Sequence, residues 1–316
     1  MTDTRIASHG WIRPRRLAHG ARLAVVAPAS PFRREEFEAG VQELAGLGFE
    51  TVYDDRVFAR DGFVAGDPAL RARALADAWQ DPAIDGIISV RGGYGSAQLL
   101  PRLDPDLPRR HPKVFIGYSD VTSLLAWHLA AGVICFHGPM LEGRLARGAA
   151  GYDRASLVAA TMNAAPMGRL APDGLAVLRA GDASGVLVGG TLTQLAASLG
   201  TPWAFNPPEG CLLFLEDVGE RPYRLDRLLL QLEQAGVLAT VAGVLLGEFP
   251  GCDEPDGAVT AREVLRARLA AVSGPVVFGF PSGHTAGPSW TLPLGVRARL
   301  DAGAAPAVVI EEAAVV

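Results

Sequence analysis

The tetrapeptide Gly117-Tyr118-Ser119-Asp120 stands where the apolar run KVFIG (113–117) gives way to a helical pattern. A serine on a sharp strand-to-helix turn lifts its hydroxyl above the sheet and leaves the following backbone N–H groups facing a developing oxyanion. The spacing is that of a nucleophile elbow, although Val121 occupies the fifth position where the GxSxG pattern has glycine. In the competing reading, Ser119 or Asp120 is only the N-cap of the next helix. A serine nucleophile needs a base, and the chain has six histidines. His9 and His19 lie in a polar N-terminal segment, His111 stands beside Pro112 in a solvated loop, and His128 sits inside an apolar helical stretch as a core residue. That leaves His137 in CFHGPM and His284 in FPSGHTAG, both in loops just after apolar strands, where functional residues concentrate. The residues alone do not choose between them.

A third group must orient the base and stabilise its imidazolium. In CLLFLEDVGERPY, Glu216 shares a strand face with Leu212 and Phe214, which an exposed acid has no reason to do. An ion pair with Arg221 or Arg224 at the strand end is the simpler account of the same acid. The glycine-rich run Arg91-Gly92-Gly93-Tyr94-Gly95-Ser96 also joins a strand to a helix, so its N–H groups suit an anion, but it lacks GxGxxG spacing. With His284 as base, Ser119, Glu216 and His284 follow in the order serine, acid, histidine, each at the end of an expected strand.

The elements that would position these residues alternate in kind. LAVVA (23–27) is a buried strand ending at Pro28, and Phe37, Val41, Leu44 and Ala45 recur at helical spacing behind it. A helix from about 68 to 79, strands at 84–90 and 113–117, and a helix after Asp120 continue the pattern, which predicts a parallel, doubly wound α/β sheet. Beyond Arg147 the texture loosens into Ala, Gly and Pro. Further strands are expected near 185–189, 211–216, 241–249, 275–280 and 294–300. Between them lie a helix capped by Thr191 and ending at Gly200 and another from Pro222 to Gly236. The expected division is an N-terminal α/β domain with the nucleophile elbow (1–165), a linker (166–184) and a C-terminal domain with acid and base (185–316).

Composition removes other chemistries. Lys113 is the only lysine, and its HPKVF setting fits no P-loop, Schiff-base or SxxK site. The net charge of −5 with no long run of one sign argues against nucleic acid. Three distant cysteines suit neither a disulfide framework nor a zinc ribbon, and HExxH, paired CxxC and EF-hand patterns are missing. No cofactor and no metal are expected. No apolar run reaches the ~18 residues of a membrane span, and the N-terminus has no secretory signal, so a cytoplasmic chain with no membrane partner is expected.

Several blocks together resemble the serine LD-carboxypeptidase family, which also contains the microcin-immunity peptidases. They are VVAPASP (25–31), DPAIDGIISVRGGYGSAQLLP, KVFIGYSDVTSLL, FHGPM (136–140), GGTLTQLAASLGTPW (189–203), LEDVGERPYRLDRLLLQL (215–232), PSGH (281–284) and LPLGVRARLD (292–301). The resemblance implies a Ser119-Glu216-His284 triad, oxyanion donors on the backbone of Gly92 or Gly93 and Asp120, and a supporting place for His137. It also implies a C-terminal α/β domain rich in β-structure, a site between the two domains, and a homodimer. The implied reaction releases terminal D-alanine from a small muropeptide, with Arg91 a candidate for the carboxylate. An adenylate-type amide is the alternative substrate, but members with that activity carry an added loop. No insertion is visible here between Trp203 and Cys211 or after Leu232. A non-catalytic ligand-binding protein on the same scaffold is a further alternative. One departure stands out: the family pattern carries Asn between GH and LPLG, where this chain runs Thr285-Ala-Gly-Pro-Ser-Trp290.

Overall fold

The computed structural model describes residues 10–316, so His9 lies outside the described residues. The first half builds five short parallel strands, β1 (Arg22–Val26), β2 (Glu50–Val52), β3 (Gly86–Ser89), β4 (Val114–Gly117) and β5 (Cys135–His137). They lie in the order β2-β1-β3-β4-β5. This is a doubly wound order whose switch point falls between β1 and β3, where a crevice opens at the strand carboxyl ends. Helices α1 (Arg34–Gly46), α2 (Pro68–Gln80), α3 (Leu107–Arg110) and α4 (Thr122–Ala130) supply the connections. Asp67 caps α2 by accepting from the N–H groups of Ala69 and Leu70, and Pro68 fills the first helical position.

After α5 (Arg154–Met162) the chain enters a second sheet through β6 (Gly168–Leu170) and β7 (Ala176–Arg179), so residues 166–184, expected as a linker, form β-structure. The sheet continues with β8 (Gly181–Thr191), helix α6 (Leu192–Ser198), β9 (Leu212–Glu216), helix α7 (Pro222–Gln234), β10 (Gly243–Leu246), helix α8 (Ala261–Arg268) and β11 (Val276–Phe278). Strands β8 to β11 run parallel, and antiparallel strands flank them on both sides. The fold is thus a mixed α/β architecture with two mixed sheets.

The strand expected at 294–300 is two strands in two sheets. Here β12 (Leu292–Leu294) pairs antiparallel with β5, whereas β13 (Val296–Ala302) pairs with β8 and with β14 (Ala307–Ile310). Gly295 makes the break at φ +92°, and a β-carbon there would stand 2.7 Å from the Trp11 ring. Only glycine enters this conformation freely, and an apolar run read for period alone cannot reveal the switch.

One continuous apolar core spans both sheets. Helix α4 is buried nearly all round because it packs against β4 and β5 on one side and β8 on the other. Among the described residues no helix is long and apolar enough to cross a membrane.

Candidate active site

Ser119 leaves the end of β4 with φ +61°, and Phe249 is the only other described non-glycine residue at positive φ. An L-residue holds that conformation at a cost of about 1–2 kcal/mol, so the surroundings must over-determine it. They do. A β-carbon on Gly92 would meet Ser119 Oγ at 3.0 Å and the Asp120 nitrogen at 3.2 Å, so the glycine turn after β3 lies directly against the serine. The Asp120 carboxylate accepts the Ser96 N–H at 2.8 Å, and the Ser96 hydroxyl donates to the Asp120 carbonyl, locking turn to elbow. Helix α4 has no side-chain cap at its start, so neither Ser119 nor Asp120 serves as one.

Glu216 ends β9 with no exposed surface. Its Oε2 lies 2.7 Å from His284 Nδ1 and accepts the His284 backbone N–H at 2.9 Å, so one oxygen fixes both ring and main chain of the histidine. Its Oε1 accepts the Thr191 hydroxyl, and His137 Nε2 lies 3.7 Å from the same oxygen. Thr191 stands at the N-cap position of α6, as the sequence predicts, but its hydroxyl serves the acid rather than the helix, because β8 and β9 place Thr191 opposite Glu216. Asp217 takes over at α6, accepting the Thr193 N–H at 2.8 Å. The socket is made by glycine, since a β-carbon on Gly247 or Gly283 would lie within 3 Å of Glu216. The Arg221 alternative falls away, as Arg221 pairs with Glu254, and Arg224 lies near Glu220.

The electrostatics follow from this crowding. Burial pushes the Glu216 carboxyl up, but the charge of His284 and the polar contacts of the two imidazoles outweigh it and hold the acid well below the usual carboxylate range. Burial alone would lower the His284 pKa; the Glu216 charge and hydrogen bond reverse the sign and raise it. Asp217 behaves oppositely, pushed up to about 6 by burial, with the neighbouring Glu216 charge in the same direction.

The two halves meet around the elbow. The Tyr118 ring packs edge-on against the His284 ring at 5.1 Å, and the Thr191 N–H donates to Thr122 Oγ1 at 3.1 Å. The structure therefore brings Ser119, Glu216 and His284 to one locality, with His284 Nδ1 committed to the acid and Nε2 left for a reacting group. No hydrogen bond joins Ser119 to that ring among the described residues. Such bonds commonly tighten only when substrate fills a site. His137 lies behind the acid, fully buried, with Nδ1 2.9 Å from Ser282 Oγ.

Gly92 and Gly93 present N–H groups with no acceptor among the described residues, and Gly93 adopts φ +95° where a β-carbon would strike Ser30. Arg91 is half-exposed; its Nε lies 3.0 Å from Glu142, and its Nη1 donates to Pro31 O, so any substrate carboxylate must share it. Sequence reasoning missed Thr191 as a partner of the acid. It also missed two buried arginines. Arg71 gathers the carbonyls of Pro28, Gly66 and Gly95 on the glycine-turn side, and Arg144 gathers those of Gly283, Thr285, Gly287 and Gly151 on the histidine side. Their only signal is an arginine in an otherwise apolar or glycine-rich stretch.

Comparison with known proteins gives the context. Residues 23–138 match the model of the LD-carboxypeptidase N-terminal domain, and residues 184–300 match that of the C-terminal domain. The chain is 33% identical to the murein tetrapeptide carboxypeptidase of Pseudomonas aeruginosa, over 84% of this chain and 88% of the relative. It is 30% identical to the microcin C7 self-immunity protein MccF of Escherichia coli, over 87% and 88% of the two chains. A structure of wild-type MccF superposes with a TM-score of 0.85 over 96% of this chain and 99% of that one, at 26% identity. The muramoyltetrapeptide carboxypeptidase of Oxalobacter formigenes superposes with a TM-score of 0.81 over 92% and 99%, at 30% identity.

Proposed function

The chain belongs to the LD-carboxypeptidase family and is a serine-type peptide hydrolase, and from that premise we propose that it releases terminal D-alanine from murein tetrapeptides through Ser119, Glu216 and His284. The observation that carries the reading is the left-handed backbone of Ser119 held against the glycine turn, on the side of the site where the Glu216–His284 pair leaves Nε2 available.

His284 Nε2 takes the Ser119 proton as Oγ attacks the carbonyl carbon of the L,D-amide. Glu216 holds the Nδ1–H and stabilises the imidazolium without itself being protonated, in keeping with its depressed pKa. The N–H groups of Gly92 or Gly93 and of Asp120 receive the oxyanion. Collapse expels the D-alanine amine with the proton from His284. Water, deprotonated by the same ring, then attacks the acyl-enzyme; as the acyl–Oγ bond breaks, the imidazolium returns the proton to Ser119 and the acid product leaves. Arg91, sharing its guanidinium with Glu142, is placed to meet the terminal carboxylate.

A second reading, hydrolysis of an adenylate-type aminoacyl amide, is favoured by the likeness to MccF, which has been solved with aspartyl sulfamoyl adenosine. The deciding experiment measures free D-alanine released from purified murein tetrapeptide by wild type, Ser119→Ala and His284→Ala. Release by wild type that both substitutions abolish supports the reading. A folded wild type that releases none, yet cleaves an aminoacyl sulfamoyl adenosine, replaces the substrate.

A further inference from the structure

Arg144 is 6% exposed and forms no ion pair with a carboxylate among the described residues. A buried guanidinium without a counter-charge is costly unless dipoles solvate it. Here the dipoles come from a short stretch of chain. Nη2 donates to the carbonyls of Gly283 at 2.7 Å and Thr285 at 3.0 Å, and Nη1 to that of Gly287 at 3.1 Å, with Gly151 at 3.3 Å as a fourth acceptor. Two of these carbonyls bracket His284 in sequence.

The same loop is fastened differently on its N–H side. Gly283 donates to Ser289 Oγ at 3.0 Å, His284 to Glu216 at 2.9 Å, and Ala286 to Glu248 at 2.9 Å. Acceptor side chains thus hold three of the N–H groups around His284, while a single donor group holds the carbonyls. Glycines at 283 and 287 and proline at 288 give the loop no regular secondary structure of its own, so these bonds define its path.

We propose that Arg144 is a positioning residue for the base, clamping the carbonyl side of the 283–287 loop so that the His284 ring keeps Nδ1 on Glu216 and Nε2 toward the elbow. The groups facing His284 are Glu216 and Asp217 from the end of β9, Tyr118 from the elbow, and Arg144 itself, with His137 behind the acid. Arg144 is the one guanidinium among them, and its charge opposes the imidazolium that the two acids favour. Geometry and charge therefore act together: the clamp aims the ring and keeps its neutral, basic form accessible.

This inference rests on the reading of His284 as the base, so its test observes that ring directly. The imidazole nitrogens of wild type, Arg144→Lys and Arg144→Met are followed by NMR across pH, with His284→Gln used to assign the His284 signals. D-Alanine release is measured alongside. In Arg144→Met the His284 pKa is expected to rise and the fixed Nδ1–H tautomer to be lost, with kcat down about 100-fold and KM within about threefold. Arg144→Lys keeps the charge but not the fork that reaches three carbonyls, so the pKa is expected to stay near wild type while kcat recovers only in part. A folded Arg144→Met with wild-type His284 pKa and tautomer overturns the proposal. Should that variant fail to fold, Arg144→Lys decides: wild-type kcat and tautomer in it overturn the clamp, and a lowered kcat with a disordered tautomer supports it. If wild type releases no D-alanine, the substrate reading falls while the NMR titration still judges Arg144.

Discussion

The Ser119 side and the His284 side of this candidate site, the proposed nucleophile and base, are built from different materials. Ser119 is presented by backbone: a positive φ, a glycine turn that no β-carbon could replace, and N–H groups without acceptors among the described residues. Glu216 and His284 are presented by side chains from separate strands and loops, with Thr191 and His137 at the carboxylate, Ser282 behind His137, and Arg144 on the loop carbonyls. Strain stored in a backbone belongs to the position and survives side-chain replacement, whereas a network of buried charges belongs to its members. The two sides should therefore fail in different ways.

The largest contrast is between Ser119→Ala and Glu216→Ala. Ser119→Ala is expected to lower D-alanine release by at least about 10⁴-fold with stability within about 1 kcal/mol of wild type, since the turn persists and no partner is orphaned. Glu216→Ala removes the acceptor for His284 twice over and leaves buried donors unpaired, so activity falls and stability drops by about 3–5 kcal/mol. Denaturant melts of the two variants check this, and equal losses of stability would break the distinction. Glu216→Gln keeps the shape and is expected to lose about 10³–10⁴-fold in kcat by freeing the ring tautomer.

A smaller effect lies in pH. In the proposed mechanism His284 must be neutral to accept the Ser119 proton, and its folded pKa is raised. Activity should accordingly rise with pH along an acid limb of kcat/KM placed above the ordinary histidine value of about 6.5. In Glu216→Gln the supporting charge is gone, and the limb should move to lower pH. A limb that stays in place would assign the titration to another group.

The difference between the sides also governs what the sequence could reveal. Elbow and glycine turn are local, so GYSD could be read as a nucleophile elbow beside the capping alternative and RGGYGS as an anion-suited turn, and the alternation of strands and helices pointed to the doubly wound parallel sheet that β1 to β5 form. The acid was half-legible through its apolar strand face. The base was not: His137 and His284 both follow strands, and both face the same carboxylate, so residue type and local context could not separate them. Family resemblance favoured His284, and geometry explains the ambiguity. The N-cap position of Thr191 was legible, but the partner of its hydroxyl was not, because that is set by the register of β8 on β9, a long-range fact. The break at Gly295 between two sheets was hidden for the same reason.

Thr191→Val tests how far the side-chain network extends. It deletes the donor to Glu216 Oε1 while keeping the β-branched shape, and a hydrogen bond to a charged acceptor contributes about 1.5–3 kcal/mol. The expected result is a loss of about tenfold in kcat with a modest fall in melting temperature. An unchanged kcat would confine the working network to the Oε2 side of the carboxylate.

His128 gives the weakest effect on activity and the sharpest control for the comparison. It is as buried as His137, stacked nearly parallel to Phe115 at 5.7 Å, and neither ring nitrogen has a partner among the described residues. Burial alone acts on it and takes its pKa down to about 3, the opposite direction from His284, where a carboxylate reverses the same penalty. The folded ring stays neutral while the unfolded one binds a proton below about 6.5, so His128 withdraws stability as pH falls from about 6.5 toward 3. The full loss at the lower end is about 4–5 kcal/mol at ~1.4 kcal/mol per unit. His128→Leu should flatten that part of the stability profile, leave D-alanine release within about twofold, and raise stability near neutral pH by relieving two unpaired nitrogens. An unaltered acid limb of stability in His128→Leu would mean that the ring finds a partner when charged. Burial would then not by itself separate a core histidine from a working one.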